Sequence, residues 1–334
     1  MSDGIAVVTG GSAGIGLATA QRLARNGWSV AILARDQTRL DEAAGLLRET
    51  GARVLPLSVD MADAAGVGRA ADQIEQELGP IRVWVNNAMS TVIAPADEIS
   101  ADDYARVTAT TYLSQVHGTL AALRFMKPRN QGLIVQISSI LGFRGVPLQA
   151  PYCAAKFAVS GFTDALRAEL IADEINVSLS VVYLPAVNTP QFTWSRNLSG
   201  REQIAPEPIY DPRVCAEAVL ATVQNPTREV WVGRRTFGLA IGQDLAPAYA
   251  DSAASGFKED QLGERADDRP GNLCDPVPGP AKIDGPWTPT ITSAPGQIFT
   301  SGHRTLGDFA LGALAGGLAT AGALAISKMI RQRT

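Results

Sequence analysis

The chain has 334 residues, of which 46% are hydrophobic and 19% charged, and its formal net charge is −4. It is long enough for one large domain with a sizeable core plus an appendage, and its slight acidity gives no support for nucleic-acid binding. The three cysteines, Cys153, Cys215 and Cys274, lack disulfide or metal spacing and suit a reducing compartment, and the isolated His117 and His303 suggest no metal site.

No basic n-region or apolar h-region precedes the first predicted strand, so no signal peptide is expected. That strand is the apolar run Ile5-Ala6-Val7-Val8. It leads through Thr9-Gly10-Gly11-Ser12-Ala13-Gly14-Ile15-Gly16 into Leu17 to Leu23, where apolar residues recur at helical spacing. Gly10 can take backbone angles closed to other residues, and Gly14 and Gly16 let main chain and helix approach a pyrophosphate. Free N–H groups at the helix start then face the anion.

The second strand, near 29–34, ends at Ala34-Arg35-Asp36. A carboxylate at its end would accept from a ribose 2′-hydroxyl, whereas a guanidinium pairs with a 2′-phosphate; Ala34 followed by Arg35 therefore favours NADP. Two alternatives stay open: Arg35 as a solvated residue pairing with Asp36, or Asp36 itself on the ribose, which keeps NAD in play. Further strands are expected near 53–58, 81–86, 132–138, 176–183 and 229–232, with helices between them. The alternation implies an α/β fold, a Rossmann-type doubly wound parallel sheet in a single domain.

Tyr152 and Lys156 stand four apart, which puts both on one face of a helix. An ammonium beside a phenol favours the phenolate, so Tyr152 is expected to exchange a proton with a carbonyl or alcohol oxygen. Ser139, just after the strand at 132–138, can hold the same oxygen. Cys153 adjoins the Tyr but points elsewhere on a helix and is read as packing.

The segment from Pro190 to Pro212 reads as a lid. Its Phe192, Trp194, Ile204, Ile209 and Tyr210 suit an apolar or aromatic substrate, or simply pack the loop. Residues 251–305 are Pro/Gly-rich without sustained periodicity, a linker or docking extension in which Asn272 to Pro278 can pack on the core. Residues 306–334 are expected to form an apolar helix with a basic tail. Phe309 to Ser327 carries no charge, long enough for a span, yet it is rich in Ala and Gly and is followed by Lys328, Arg331 and Arg333. An interfacial helix, a helix pairing between subunits and an inserted anchor all fit. The expected division is thus 1–250, 251–305 and 306–334.

Four motifs, Thr9-Gly-Gly-Ser-Ala-Gly-Ile-Gly16, Asn86-Asn87-Ala88, Ile137-Ser138-Ser139 and Tyr152-Cys-Ala-Ala-Lys156, occur in an order and spacing that resemble the short-chain dehydrogenase/reductase family in its classical branch, over about residues 3–245. The resemblance implies Tyr152 as acid/base, Lys156 as the residue that lowers its pKa and binds the nicotinamide ribose, and Ser139 as donor to the substrate oxygen. It also implies cofactor contacts from Gly10, Ser12, Gly14, Ile15, Gly16, Arg35, Asp60, Met61, Asn87, Ala88, Pro185, Val187 and Thr189. Two departures stand out. Thr111 occupies the place of the family's catalytic Asn, where it can hold a water but supplies no amide, and Leu184-Pro185-Ala186-Val187-Asn188-Thr189-Pro190 displaces the family's Pro-Gly by one residue.

The expectation is a cytoplasmic-side NADP-dependent carbonyl reductase or alcohol dehydrogenase with a small-molecule substrate. A homodimer or homotetramer is implied through helices near 103–127 and 152–172, and membrane association is open through 309–327. The alternative is a catalytically weak NADP(H)-sensing or scaffold protein tethered by its C-terminal helix, which Thr111 motivates and the retention of Ser139, Tyr152 and Lys156 opposes.

Overall fold

The structure, a computed structural model, describes residues 4–303 apart from 246. In chain order, β1 (Ile5–Thr9), α1 (Gly14–Ala24), β2 (Ser29–Ala34), α2 (Gln37–Arg48), β3 (Val54–Ser58), α3 (Ala64–Glu77) and β4 (Ile81–Asn86) form the first half. A short β5 (Val92–Ile93) precedes α4 (Ala101–Val107), a π-helical turn (Thr108–Leu113), α5 (Ser114–Arg129), β6 (Gly132–Ser139), α6 (Ala150–Ala172) and β7 (Val177–Leu184). Then come α7 (Gln191–Trp194), β8 (Arg196–Asn197), β9 (Arg201–Gln203), α8 (Pro212–Gln224) and β10 (Glu229–Val232). The C-terminal part holds α9 (Arg234–Leu245), α10 (Pro247–Asp260), β11 (Leu262–Arg265) and β12 (Ile298–Thr300).

The main sheet runs β3-β2-β1-β4-β6-β7-β10-β12. All neighbouring pairs are parallel except β10 with β12. Every strand expected from the sequence is present, within a residue at each end. These strands are apolar along their length because helices cover both faces of a parallel sheet. Ala6, Val8, Ile32 and Val135 pack on one side against α1, α2 and α8. Val7, Leu33, Trp84 and Ile134 pack on the other against α3, α5 and α6.

Local chemistry sets the helix starts. Asp36 caps α2 by accepting from the Arg39 N–H at 3.0 Å, Asp63 caps α3 from Ala65 at 3.0 Å, and Ser100 caps α4 from Asp103 at 3.1 Å. By contrast, α1 begins after Ala13, which brings no capping side chain. The Gly14 N–H, first of the helix, donates instead to the distant Lys282 carbonyl at 2.9 Å.

Residues 251–303 lie against the domain and do not run free as a linker would. α10 leads into β11, which pairs antiparallel with β9, and β12 adds to the sheet edge at β10. Between them Leu273 is fully buried with Val92, Ala94, Ile99 and Val107. The segment is held by backbone hydrogen bonds and single apolar anchors, which leave no periodicity to read. The expected apolar helix at 306–334, with its candidate span 309–327, lies outside the described residues. Among the described residues no helix is long and apolar enough to cross a membrane.

Candidate active site

The carboxyl ends of β1, β4, β6 and β7 converge on a cleft of about 390 Å³, where α/β sheets of this kind bind ligands. Its walls include Gly10, Ser12, Gly14 and Ile15 from the first turn, Arg35, Asp60, Met61, Asn87 and Ala88, and Pro185, Val187 and Thr189 after β7. Ser139, Tyr152 and Lys156 line the same cleft, whereas Gly16 and Thr111 stand behind it. Gly10 has φ 66°, and a Cβ on Gly16 would lie 2.1 Å from the Gly10 carbonyl oxygen, so the turn closes only with glycine there. Asn87 ties this turn to the end of β4: its Nδ2 donates to the Thr9 carbonyl at 2.9 Å, and its N–H donates to Thr9 Oγ1 at 2.9 Å.

Ser139 ends β6, and its Oγ accepts from the Leu141 N–H at 3.1 Å and hydrogen-bonds the Tyr152 phenol. Tyr152 and Lys156 come from the first turns of α6. Lys156 is 1% exposed; its Nζ donates to the Ile137 carbonyl at 2.7 Å and stands 5.6 Å from the Tyr152 ring centroid. Burial pulls the ammonium down to about 7. Burial also pushes the Tyr152 phenol well above its ordinary value, against the opposing Ser139 hydrogen bond. That direction is opposite to the lowering expected from a neighbouring ammonium, because burial, which the four-residue spacing does not report, is the dominant cause. Gln115, which the sequence did not single out, donates through Nε2 to the same Ile137 carbonyl at 3.0 Å. It fills the space one helical turn beyond Thr111.

Thr111 departs from its expected place in a proton relay. Fully buried, it donates to the Ser90 carbonyl at 2.6 Å and accepts from the Ser90 N–H at 3.1 Å. Those bonds commit its hydroxyl to clasping the loop after β4. The adjacent Thr110 faces the cleft instead and shares a 2.5 Å hydrogen bond with Ser90 Oγ.

At the far end, Arg35 is half-buried and pairs with backbone carbonyls in place of Asp36. Its guanidinium donates to the carbonyls of Asn272 and Cys274, each at 2.5 Å. Asp36, besides capping α2, pairs with Arg39 at 3.3 Å. Arg39 is a cleft residue that sequence reasoning missed: 5% exposed, it stacks 4.4 Å over Trp194 and donates to the carbonyls of Val277 and Gly279. An Arg in the first turn of a helix normally reads as solvated surface, so no sequence signal marked it. Burial works to raise the Asp60 carboxyl, but the Ala62 N–H and Arg106, at 2.7 Å, hold it below the usual carboxylate range.

The aromatic lid residues divide. Phe192, Trp194 and Tyr210 reach the cleft, Trp194 through its arginine stack, while Ile204 and Ile209 pack elsewhere. Cys153 and Cys215 are buried and Cys274 is exposed. Among the described residues no cluster fit for a metal ion occurs.

Comparison with known proteins agrees with this geometry. The short chain dehydrogenase family model matches residues 4–197. "Uncharacterized oxidoreductase YxnA" of Bacillus subtilis is 30% identical over 75% of this chain and 71% of its own length. "Dehydrogenase/reductase SDR family member 7" of Homo sapiens is 31% identical, with 71% and 72% covered, and "3-dehydrosphinganine reductase" of Danio rerio is 32% identical, with 56% and 57% covered. An alcohol dehydrogenase from the archaeon Thermococcus sibiricus, solved in complex with 5-hydroxy-NADP, superposes with a TM-score of 0.59 at 25% identity over 69% of this chain and 95% of that one. With the glycine turn, the Ser139–Tyr152–Lys156 group and these likenesses in agreement, the chain belongs to the short-chain dehydrogenase/reductase family and is a nicotinamide-dependent oxidoreductase.

Proposed function

We propose that residues 1–250 form the catalytic domain of an NADP-dependent oxidoreductase that interconverts a carbonyl and an alcohol on a small apolar substrate. The observation that carries this reading is the Ser139–Tyr152 hydroxyl pair facing the cleft, with Lys156 buried beside it. The cleft fits a dinucleotide: Gly10 and Gly16 leave a cradle that a Cβ would fill, and the start of α1, without a capping side chain and with its Gly14 N–H on the neutral Lys282 carbonyl, suits an anion. Ser12, Gly14 and Ile15 would hold the pyrophosphate, Asp60 and Met61 the adenine end, Asn87 and Ala88 the middle, and Pro185, Val187 and Thr189 the carboxamide. When bound, the nicotinamide supplies or takes the hydride.

The chain's own groups manage the oxygen and its proton. In the reducing direction the Tyr152 phenol gives its proton to the substrate oxygen, while the Ser139 hydroxyl donates a hydrogen bond to the same atom. The Lys156 ammonium stabilises the resulting phenolate; in the oxidising direction the proton returns to Tyr152. Thr111 acts indirectly, by fixing Ser90. Leu141, Val146, Phe192, Pro208 and Phe257 give the substrate end an apolar wall.

Arg35 just after β2 and Arg39 in the first turn of α2, with Asp36 turned toward Arg39, support NADP over NAD. The exposed Leu120 on α5 and Phe157 on α6 support a homo-oligomer through those helices. Tyr152→Phe tests the mechanism: turnover on a carbonyl panel with NADPH is expected to vanish while NADPH binding persists. Unchanged turnover would remove Tyr152 from the chemistry. Thr111, committed to Ser90, favours the second reading, an NADP(H) sensor; full cofactor binding by the wild type with no turnover on any carbonyl would establish it.

A further inference from the structure

The segment from Arg269 to Trp287 is anchored at both ends and crosses the cleft between them. At the near end, Gly271 takes φ 57° against the backbone of Ser195 and Arg196, where a Cβ would come within 2.3 Å. Asn272 N–H donates to the Trp194 carbonyl at 2.7 Å, and Leu273 is buried. At the far end, Asp284 pairs with Arg213, Gly285 N–H donates to the Asn188 carbonyl at 3.1 Å, and Trp287 N–H donates to Asn188 Oδ1 at 3.1 Å.

The span between these anchors, 274–282, is held largely by groups that face the dinucleotide cleft. Its carbonyls take the guanidinium donors of Arg35 and Arg39, and the Lys282 carbonyl takes the Gly14 N–H of the phosphate turn at 2.9 Å. Ala281 N–H adds a bond to Glu42 at 2.8 Å. Pro276 and Val277 line the cavity itself, so the span roofs the adenosine end without filling it.

We propose that residues 274–282 are a gate over the cofactor, which lifts to admit and release the dinucleotide and settles on the same cationic donors that a 2′-phosphate would use. The inference rests on the NADP reading above. Neutral carbonyl oxygens are weaker partners for a guanidinium than a phosphate, so a 2′-phosphate competes for Arg35 and Arg39 and shifts the span, whereas a dinucleotide lacking it does so less. Gate position and cofactor occupancy are thereby linked, and each biases the other.

Cys274 gives a native reporter, because it is exposed on the gate while Cys153 and Cys215 are buried. The test uses the full chain labelled there with an environment-sensitive dye, mixed rapidly with NADPH, with NADH and with adenosine 2′,5′-bisphosphate. The dye signal is expected to change with NADPH and the bisphosphate more than with NADH, at a rate that levels off as NADPH concentration rises. Gly285→Ala, whose Cβ would press within 2.5 Å of the Thr189 carbonyl oxygen, and Gly271→Ala each loosen an anchor and are expected to raise the NADPH release rate about tenfold. NADPH binding seen by nicotinamide fluorescence with a silent dye, or a rate linear in concentration and unchanged in both variants, would overturn the gate and leave the cofactor reading standing. Absence of binding by either signal overturns both. The labelled wild type carries the test by itself if either glycine variant fails to fold.

Discussion

Replacing Lys156 with methionine is expected to stabilise the protein at neutral and acidic pH while removing its activity. The ammonium is 1% exposed, with the Ile137 carbonyl as its hydrogen-bond acceptor, and burial pulls its pKa from 10.5 to about 7. Below pH 7 the lysine is charged in both folded and unfolded chains, and the folded state bears the full cost of burying that charge. Between 7 and 10.5 the unfolded chain binds the extra proton, so stability rises with pH, and above 10.5 the cost is gone. At about 1.4 kcal/mol per pKa unit the whole span is worth at most about 5 kcal/mol, and structural relaxation reduces it. Methionine keeps the volume and loses a hydrogen bond worth about 1 kcal/mol, so a net gain of about 2–4 kcal/mol is expected at pH 6. Urea denaturation of both proteins from pH 6 to pH 10 measures it, the shared titration of other groups cancelling in the difference. The advantage of the variant should shrink as pH rises. A difference that stays constant across this range refutes the argument that Lys156 is held as a buried, destabilised cation.

Other outcomes follow from the same geometry. Arg35→Ala is expected to weaken NADPH binding about tenfold or more and NADH binding little, by titration of nicotinamide fluorescence; equal losses would place Arg35 away from the 2′-phosphate. Gly16→Ala forces a Cβ to within 2.1 Å of the Gly10 carbonyl oxygen and is expected to abolish dinucleotide binding with the far-ultraviolet circular dichroism retained. Thr111→Ala leaves the Ser90 N–H and carbonyl without their side-chain partner and should lower stability by about 1–3 kcal/mol in denaturant. Ile134→Ala, at a fully buried site in the sheet, is expected to cost about 2–5 kcal/mol while KM stays unchanged.

The parallel strands were legible because each is an uninterrupted apolar run bounded by turn residues, the pattern of a sheet covered on both faces. Tyr152, Lys156 and Ser139 were legible as a group through their spacing, and the cleft gathers them. What the sequence hid depends on partners distant along the chain. Arg35 finds carbonyls more than two hundred residues away, and Arg39 finds Trp194, neither of which leaves a local pattern. β8, β9 and β11 are too short for alternation to show, and β12 follows a Pro-rich stretch that reads as loop. The direction of the Tyr152 shift was misread because spacing reports proximity to an ammonium but carries no information on burial.

Both borders of the main sheet are finished in ways that discourage further strand addition. At one border β3 carries Pro56, which has no N–H to offer to another chain. At the other, β12 covers β10 with only three residues, Ile298–Thr300, running antiparallel to the rest. A short antiparallel rim gives an incoming strand little to template on. Copies of this chain are thus steered away from joining edge to edge into a continuous sheet, and any association is left to helix faces or loops. The C-terminal extension in this way contributes to colloidal behaviour as well as to the cleft, and trimming it back to β10 would bare a buried apolar strand, with aggregation as the expected consequence.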